Sequence, residues 1–434
     1  MLKQADFDLL TGLPNRRLFQ DRIEQGLHKT ARSDTKLALL SLDIDNFKAV
    51  NDSLGHQLGD KFLAEAAVRM SRCIRETDTL ARLGGDEFVV IMSDLDEPSR
   101  IIHQVRDRIL EVMSEPFELA SSTVYVSASI GVAIFPDDAT DIDGLIRNAD
   151  SAMYVAKREG RNRLHYFTSQ MQEDINRKLY LADELRSALS RDELSIVYQP
   201  IINLDTGNIH KAAAELQWQH PSLGAISPAE FIPIAGESEL IVNIGNWLFF
   251  QVAQSIKEWR KHYGVDIQVS IKKFTAQFKH HHNHQTWFSY LEEIGLEGEA
   301  IVVEIAEGLL LDADLQVREP LTELKRIGIR ISLDDFGTQH SPFIFLKKIH
   351  VDYLKIEQYF VKDLSQNSDN IAIFEAIIVM AHKLGIKVIA EGIETQQQCD
   401  LLSNMACDYG QGSLFSKAVP ADEFDSFISQ MPLS

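Results

Sequence analysis

Cysteine, long apolar runs and positive charge are all scarce in this chain, and each shortage removes a class of protein. Three cysteines in 434 residues (Cys73, Cys399, Cys407) are scattered and lack metal-ligand spacing. Reduced thiols and a cytoplasmic location are therefore expected rather than disulfides. No apolar run approaches the ~20 residues of a membrane helix, and no signal-peptide pattern opens the chain. Structure is expected to begin within the first few residues, so an upstream sensory or membrane region, or a protein partner, would lie outside this sequence. Lys and Arg number 43 against 64 Asp and Glu, a formal charge of -21. That argues against a nucleic-acid groove or an anionic membrane surface as the main partner. A phosphate ligand would have to be held locally, by metal, backbone amides and a few cations.

What is present is a soluble-protein composition, 45% hydrophobic and 25% charged, on a chain long enough for two or three domains. The first chemical signal is Arg82-Leu83-Gly84-Gly85-Asp86-Glu87-Phe88, between the apolar runs Thr79–Ala81 and Phe88–Met92. A glycine pair between strand-like runs predicts a β-hairpin turn. Adjacent acids at its tip repel unless a cation sits beside them. They are either a solvated tip or ligands for Mg²⁺ or Mn²⁺, which prefer carboxylate oxygen.

The flanking chain supplies more of the same chemistry. A helix is predicted over 17–29, after the turn Thr11–Arg17. A buried-type strand, Leu37–Leu42, runs into Asp43-Ile44-Asp45-Asn46-Phe47-Lys48. Acids at the end of a buried strand are costly unless paired or metal-bound. Phe62, Leu63, Ala66, Ala67, Met70, Cys73 and Ile74 make one helical face after Gly59-Asp60. Another helix is predicted over 101–113, a strand over Val124–Ile130 by its alternation, and a helix over 145–157. That helix ends in Lys157, with Gly160 and Arg161 just beyond, which alone is an ordinary dipole partner and cap. Together, acids at a strand end and a hairpin tip with cations at a helix end suit two-metal phosphoryl transfer.

These motifs resemble the GGDEF diguanylate cyclases from Asp8 to about Phe167. The matching stretches are Leu10–Arg16, Asp43–Lys48, Asn51-Asp52, Gly55-His56 with Gly59-Asp60, the Gly84–Phe88 run, and Ala156-Lys157 with Gly160-Arg161-Asn162. The resemblance implies condensation of two GTP molecules to cyclic di-GMP. It implies metal (Mg²⁺ or Mn²⁺) on Asp43, the Ile44 carbonyl and Asp86, with Glu87 beside the metal and the attacking hydroxyl. Asn51 and Asp60 would read guanine; Phe47, Lys48, Lys157 and Arg161 would hold the triphosphate. One GTP per domain requires a homodimer. Arg75 and Asp78 stand at the spacing of the family's inhibitory product site, the alternative being a plain surface ion pair.

Between Thr168 and Arg191, Met171, Ile175, Leu179, Ala182, Leu185 and Leu189 fall on one helical face. We expect a semi-rigid connecting helix over 168–191, between a first domain at 1–167 and a second at 192–434. Beyond it, eight short apolar runs alternate with helical segments, predicting a (β/α)₈ barrel. The fold class is thus α/β: a palm-like α+β domain followed by a TIM-like barrel. Glu304, Asp334, Asp335, Lys355, Glu391 and Gln411 fall at C-terminal strand ends, where barrel sites lie.

With Tyr198-Gln199-Pro200, Phe231-Ile232-Pro233, Leu333–Thr338, Leu354–Ile356, Ala390–Thr395 and Gln411-Gly412, this region resembles the EAL domain. That resemblance implies two-metal hydrolysis of cyclic di-GMP, and the sequence departs from it at the chemistry. Counting back from Trp218, the Glu-Ala-Leu signature becomes Ala213-Ala214-Glu215, so the first metal-binding Glu is Ala213. Glu215 shares that strand face but lies roughly 6–7 Å along it. The phosphate-binding Arg is Gln217, and the metal-binding Asn is Lys272. The loops Gly337–Pro342 and Ala235–Glu239 also differ from the family pattern. Lys272 is expected to pair with Glu304, Asp334 or Glu391. Losing a carboxylate and gaining a cation changes the site charge by about two units, worth several kcal/mol at short range. No metal and no hydrolysis are therefore expected in the barrel, whose role would be regulatory, as receptor, dimerisation or docking platform. His280, His281, His282 and His284 read as an exposed loop rather than a metal site. Two rivals stand: a non-enzymatic receptor for cyclic di-GMP or GTP, and a GTP-activated phosphodiesterase.

Overall fold

The computed structural model describes residues 6–33, 35–120, 122–278, 283–311, 315–337, 346, 350–362, 364 and 368–429. The loop beginning at Thr338 and the His280–His282 cluster lie outside them. The chain forms two compact units, Met1–Leu179 and Tyr180–Ser434. Among the described residues no helix is long and apolar enough to cross a membrane.

The first unit contains β1 (Lys36–Ile44), β2 (Thr79–Gly84), β3 (Glu87–Leu95), the short pair β4 (Phe117–Leu119) and β5 (Ser122–Val124), β6 (Ala128–Phe135) and β7 (Leu164–Tyr166). Five of these form a sheet in the order β2-β3-β1-β6-β7. The central strand β1 is buried along nearly its whole length, as its unbroken apolar run requires of a strand covered on both faces. Ala38, Leu40 and Leu42 enter one core with Phe62, Met70 and Val90. Leu37 and Leu39 enter the other with Phe19, Ile23 and Leu145. Gly131 on β6 lets the helix Ile142–Arg158 press against the sheet: a Cβ there would lie 2.0 Å from the Ala149 carbonyl.

The alternation over Val124–Ile130 does not form one strand. Val124 pairs with Phe117, β6 begins at Ala128, and residues 125–127 belong to neither. At this break Ser127 turns to Asp45. Its amide donates to the Ser127 carbonyl at 2.9 Å, and its carboxylate accepts from Ser127 Oγ at 2.5 Å.

In the second unit, β8 (Leu194–Asn203), β9 (Ile209–His220), β11 (Gln268–Lys272), β12 (Ile301–Ala306), β13 (Arg330–Phe336), β14 (Tyr353–Ile356), β15 (Lys387–Ala390) and β16 (Tyr409–Gly410) close into an eight-stranded barrel. Two short strands, β10 (Gly224–Ile226) and β17 (Val419–Pro420), pair at its margin. One feature departs from strict strand–helix alternation. β8 runs antiparallel to both neighbours, joined to β9 by a hairpin rather than a helix. The Asn203 side chain accepts from the amides of Asp205 and Thr206, and Gly207 takes φ +71, so this turn is too tight for a crossover. Inside the barrel, Ile201, Ala213, Val302, Tyr353, Ile389 and Tyr409 form a small apolar core.

The helix Ser169–Ala188 covers most of the expected connector. Leu181, Leu185 and Ala188 are buried in the second unit's core, whereas Leu179, on the same predicted face, is 65% exposed.

Candidate functional site

Two constellations follow from these folds. In the first unit, the antiparallel register sets Asp43, near the end of β1, opposite Glu87 at the start of β3. Asp86 is in the turn between β2 and β3. Lys157, on the last turn of the helix Ile142–Arg158, places Nζ 2.8 Å from Asp43 Oδ2. Burial pushes the Asp43 carboxyl up, against the pull of Lys157 and with a further push from Asp86 and Asp45. Asp43 is thus held by one ammonium while Asp86 and Asp45 add to the negative charge around it, a balance that suits a divalent cation. Among the described residues, the oxygens of Asp43, Asp86 and Glu87 are not gathered into one close cluster. Among the described residues, the close triad of acid oxygens is Asp334, Asp335 and Glu391 in the barrel.

Of the proposed guanine-reading pair, Asn51 packs against the residue that precedes Asp60. Asn51 lies over Gly59, where a Cβ would meet its Oδ1 at 1.9 Å, and Gly59 precedes Asp60. Phe47 is buried and stacks on Phe62 at 5.8 Å, so its ring faces the core. It opens the helix Phe47–Leu54, whose N-cap Asn46 makes no side-chain capping bond. Lys48 and Arg161 are exposed, the latter in a left-handed turn at φ +59. Arg75 is exposed, while Asp78 is buried and accepts from the Arg75 amide at 3.1 Å, closing its own turn. Burial pushes the Asp78 carboxyl up, against that bond.

Three positioning residues escaped sequence reasoning. Arg82 donates from Nη2 and Nε to the Gly85 carbonyl at 2.7 and 3.0 Å, and from Nη1 to Asp8 Oδ1 at 3.0 Å. It thereby braces the hairpin tip against the N-terminal turn. Asp8 accepts further from the amide and hydroxyl of Thr11. Asp45 is buried beneath the site and accepts from Ser127, Ser129 and the Asn162 amide, which makes it a structural anchor. For Asp8 the available signal was an acid three residues before a threonine, the spacing of a side-chain-capped turn.

In the barrel, the C-terminal strand ends surround a cavity of ≈ 450 Å³. β11 and β12 pair with Lys272 level with Glu304. Lys272 Nζ lies 2.8 Å from Asp334 Oδ2 and 3.6 Å from Asp335 Oδ2. Of the three expected partners it takes Asp334 alone. The buried Lys355 claims the other two, at 3.5 Å from Glu304 and 3.2 Å from Glu391. Burial opposes charge on Asp334, but Lys355 and Lys272 outweigh it and hold its carboxyl below the usual range. Burial likewise opposes charge on Lys355, yet Glu304, Glu391 and Asp334 raise its pKa well above the ordinary lysine value. Burial raises Glu391 despite Lys355. Asp334, Asp335 and Glu391 offer oxygens within 4.8 Å of one another, but each already faces an ammonium. A divalent cation entering here would compete with Lys272 and Lys355 for these oxygens.

Ala213 is buried on β9, in register with Gln199 and Ser270. Glu215 lines the same cavity, open to solvent, with its carboxyl raised by desolvation and subject to Lys355, Glu304 and Lys272. Counting Ala213 as a lost carboxylate therefore overstates the charge change, since Glu215 returns one further along the strand. Gln411 donates to Gln199 Oε1 at 2.6 Å, and Gln199 donates to the Ser416 carbonyl. Gln217 is exposed beyond the cavity lining.

Comparison with known proteins agrees with this division. Residues 5–163 match the "Diguanylate cyclase, GGDEF domain" family and residues 182–418 the "EAL domain" family. The chain is 36% identical over 426 residues to the "Bifunctional diguanylate cyclase/cyclic di-GMP phosphodiesterase MucR" of Pseudomonas aeruginosa, covering 98% of this chain and 62% of that protein. It is 34% identical over 426 residues to the "Cyclic di-GMP phosphodiesterase PdeR" of Escherichia coli, covering 98% and 64%. This chain thus spans about three fifths of the length of these relatives. Among solved structures, the "PaMucR Phosphodiesterase, c-di-GMP complex" superposes with a TM-score of 0.54 at 31% identity, covering 56% of this chain and 99% of that one.

Proposed function

The chain belongs to the tandem GGDEF–EAL family of cyclic di-GMP signalling proteins, and from that premise we propose that its first domain is a diguanylate cyclase and its barrel no longer hydrolyses cyclic di-GMP. In this reading two copies of the chain, each with one GTP, face each other as a homodimer. Asp43, Asp86 and the Ile44 carbonyl, with Glu87 beside them, hold Mg²⁺ or Mn²⁺, which when bound neutralises phosphate charge and eases ionisation of the attacking 3′-hydroxyl. Glu87, at the rim of the hairpin, takes up the hydroxyl proton. Asn51 and Asp60 select guanine through its donor and acceptor edge. Lys157 and Arg161, with Lys48 and the Phe47 amide, hold the triphosphate and stabilise the departing pyrophosphate. Arg75 and Asp78 bind product and limit its accumulation.

The observation that carries the silent barrel is Lys272 Nζ at 2.8 Å from Asp334. A fixed ammonium occupies the face of the acid ring where an amide would meet a dication, and Ala213 contributes no carboxylate. The barrel then serves regulation, as receptor, dimerisation surface or docking platform for an upstream sensory domain or protein partner. A second reading, a hydrolytic barrel, is favoured by the convergence of Asp334, Asp335 and Glu391 within 4.8 Å. It also draws on the phosphodiesterase names of the relatives. Chromatography of nucleotides after incubation with GTP and Mg²⁺ separates the two. Cyclic di-GMP accumulates and persists under the first reading, with none from an Asp86→Ala control. Linear dinucleotide appears under the second.

A further inference from the structure

We propose that Lys211, at the floor of the barrel, is a site of reversible carbamylation, its side-chain amine adding carbon dioxide to form an N-carboxylate. The floor is the end of the barrel opposite the acid-lined mouth, and Lys211 is not among the residues lining that mouth. The proposal holds whichever chemistry the mouth performs.

Strand alternation places the lysine. Lys211, Ala213 and Glu215 share one face of β9. Ala213 belongs to the small interior core and Glu215 lines the mouth. Lys211 therefore enters the barrel from its N-terminal end, where it is 5% exposed. Its Nζ donates to Oε1 of Gln268, its register partner on β11, and to the Tyr353 hydroxyl on β14 at 2.6 Å. Gln268 is fixed in that orientation, because its Nε2 donates to the Glu299 carbonyl at 2.7 Å. Both acceptors are uncharged. Burial pushes the Tyr353 hydroxyl up to about 12, so it supplies no anion at neutral pH.

The surrounding charge has the wrong sign for an ammonium. Arg330 on β13 and Lys387 on β15 both act on Lys211 as cations, and the acid that reaches it, Asp352, acts less than either. Asp352 is engaged elsewhere, accepting from the Ile331 amide at 2.8 Å and facing Lys325 Nζ at 3.4 Å. Glu299 is likewise turned to Arg330, at 3.1 Å. The rings of Tyr353 and Tyr409, centred 4.0 and 5.2 Å from Nζ, favour a cation. They do not replace a carboxylate, and a buried ammonium without one is costly. Burial, then Arg330 and Lys387, lower the pKa of Lys211 to about 7.

Desolvation and neighbouring cations are what turn a lysine into a nucleophile. A neutral amine has two hydrogens, which Gln268 and Tyr353 accept, and a lone pair that remains. The lone pair attacks the carbon of carbon dioxide. An N–C bond forms, one C=O electron pair moves onto oxygen, and a nitrogen proton leaves to water or buffer. The product is an anion within the field of Arg330 and Lys387, the charge this floor lacks. Carbon dioxide is small and uncharged, so a nearly closed site admits it where a larger electrophile is refused.

Incubation of the whole chain with isotope-labelled bicarbonate at about pH 8, trapping of carbamates with triethyloxonium ion, and peptide mass spectrometry test this. The expected result is a labelled ethyl carbamate on Lys211, at least about 10-fold more abundant than on the exposed Lys29. Labelling should vanish from that position in Lys211→Met. With dissolved carbon dioxide held fixed, it should fall at least about 10-fold at pH 6, as the amine takes up a proton. Lys387→Gln changes an exposed residue and leaves Lys211 in place; labelling of Lys211 should fall there by roughly 5-fold, with that of Lys29 unchanged. No label on Lys211, equal label on Lys211 and Lys29, or labelling indifferent to both pH and Lys387→Gln would each overturn the proposal.

Discussion

Lys272 and Asp334 sit 2.8 Å apart on neighbouring sectors of the barrel wall, an ammonium and a carboxylate meeting where the family resemblance places a metal. The pair is held by strand register: β11 pairs with β12, and β12 in turn sets Ala306 beside Asp334 on β13. The lysine head is reached by solvent, its side chain 42% exposed, while Asp334 is buried. Its removal therefore changes chemistry more than stability.

From this pair follows the effect of restoring the lost ligands. Lys272→Asn combined with Ala213→Glu should create Mn²⁺ binding, detectable by electron paramagnetic resonance, in an Asp86→Ala background that silences the first domain. The same protein with Lys272 and Ala213 unchanged should show none above free Mn²⁺. Metal binding without the two changes would contradict the assignment.

In the first domain, Glu87→Gln keeps size and hydrogen bonding but removes the proposed proton acceptor. Synthesis of cyclic di-GMP should fall about 10²–10⁴-fold. The melting temperature should hold, because Glu87 is exposed.

Arg82 is predicted to matter without touching substrate. Its side chain is 10% exposed and its partner Asp8 25%. Arg82→Ala should cost about 3 kcal/mol of domain stability by leaving Asp8 and the Gly85 carbonyl without their donor. Chemical denaturation checks this. Turnover should fall with it, since the tip carrying Asp86 loses its brace.

Product inhibition should depend on Arg75 and Asp78 differently. Arg75→Ala should relieve inhibition by cyclic di-GMP at least 10-fold without changing stability, because the side chain is exposed. Asp78→Ala should relieve it and also lower the melting temperature, because Asp78 closes its own turn.

A pH effect comes from Lys273, the neighbour of Lys272. Its ammonium is buried over the Trp287 ring at 4.4 Å with no hydrogen-bond partner, and burial lowers its pKa to about 7. The unfolded chain keeps that proton to about pH 10.4. Between about pH 7 and that value the unfolded state binds more protons, so this residue makes stability rise with pH. Lys273→Met should stabilise the barrel by about 1–3 kcal/mol at pH 7. It should also flatten the difference between melting temperatures at pH 7 and 8.

Much of this was legible in the sequence because local pattern and global fold agree. The run Leu37–Leu42, the hairpin around Gly84-Gly85 and the strand ends bearing Glu304, Asp334 and Glu391 appear where the pattern puts them. What escaped depends on distance or register. Arg82 and Asp8 are 74 positions apart. Whether Lys272 meets Glu304 or Asp334 is decided by where Lys355 sits, which no linear spacing contains. The antiparallel β8 was hidden because a buried strand reads alike in either direction. The break between β5 and β6 was hidden because Val124 pairs with Phe117 while Ala128 pairs with Ile44, two partners that the local alternation does not contain.

The central claim is a difference in charge balance between two acid clusters, and anomalous diffraction locates it directly. Crystals of the whole chain grown with a non-hydrolysable GTP analogue and Mn²⁺ should show anomalous peaks beside Asp43 and Asp86, and none among Glu304, Asp334, Asp335 and Glu391. A peak in the barrel mouth, or a nucleotide-bound hairpin without one, would contradict the account.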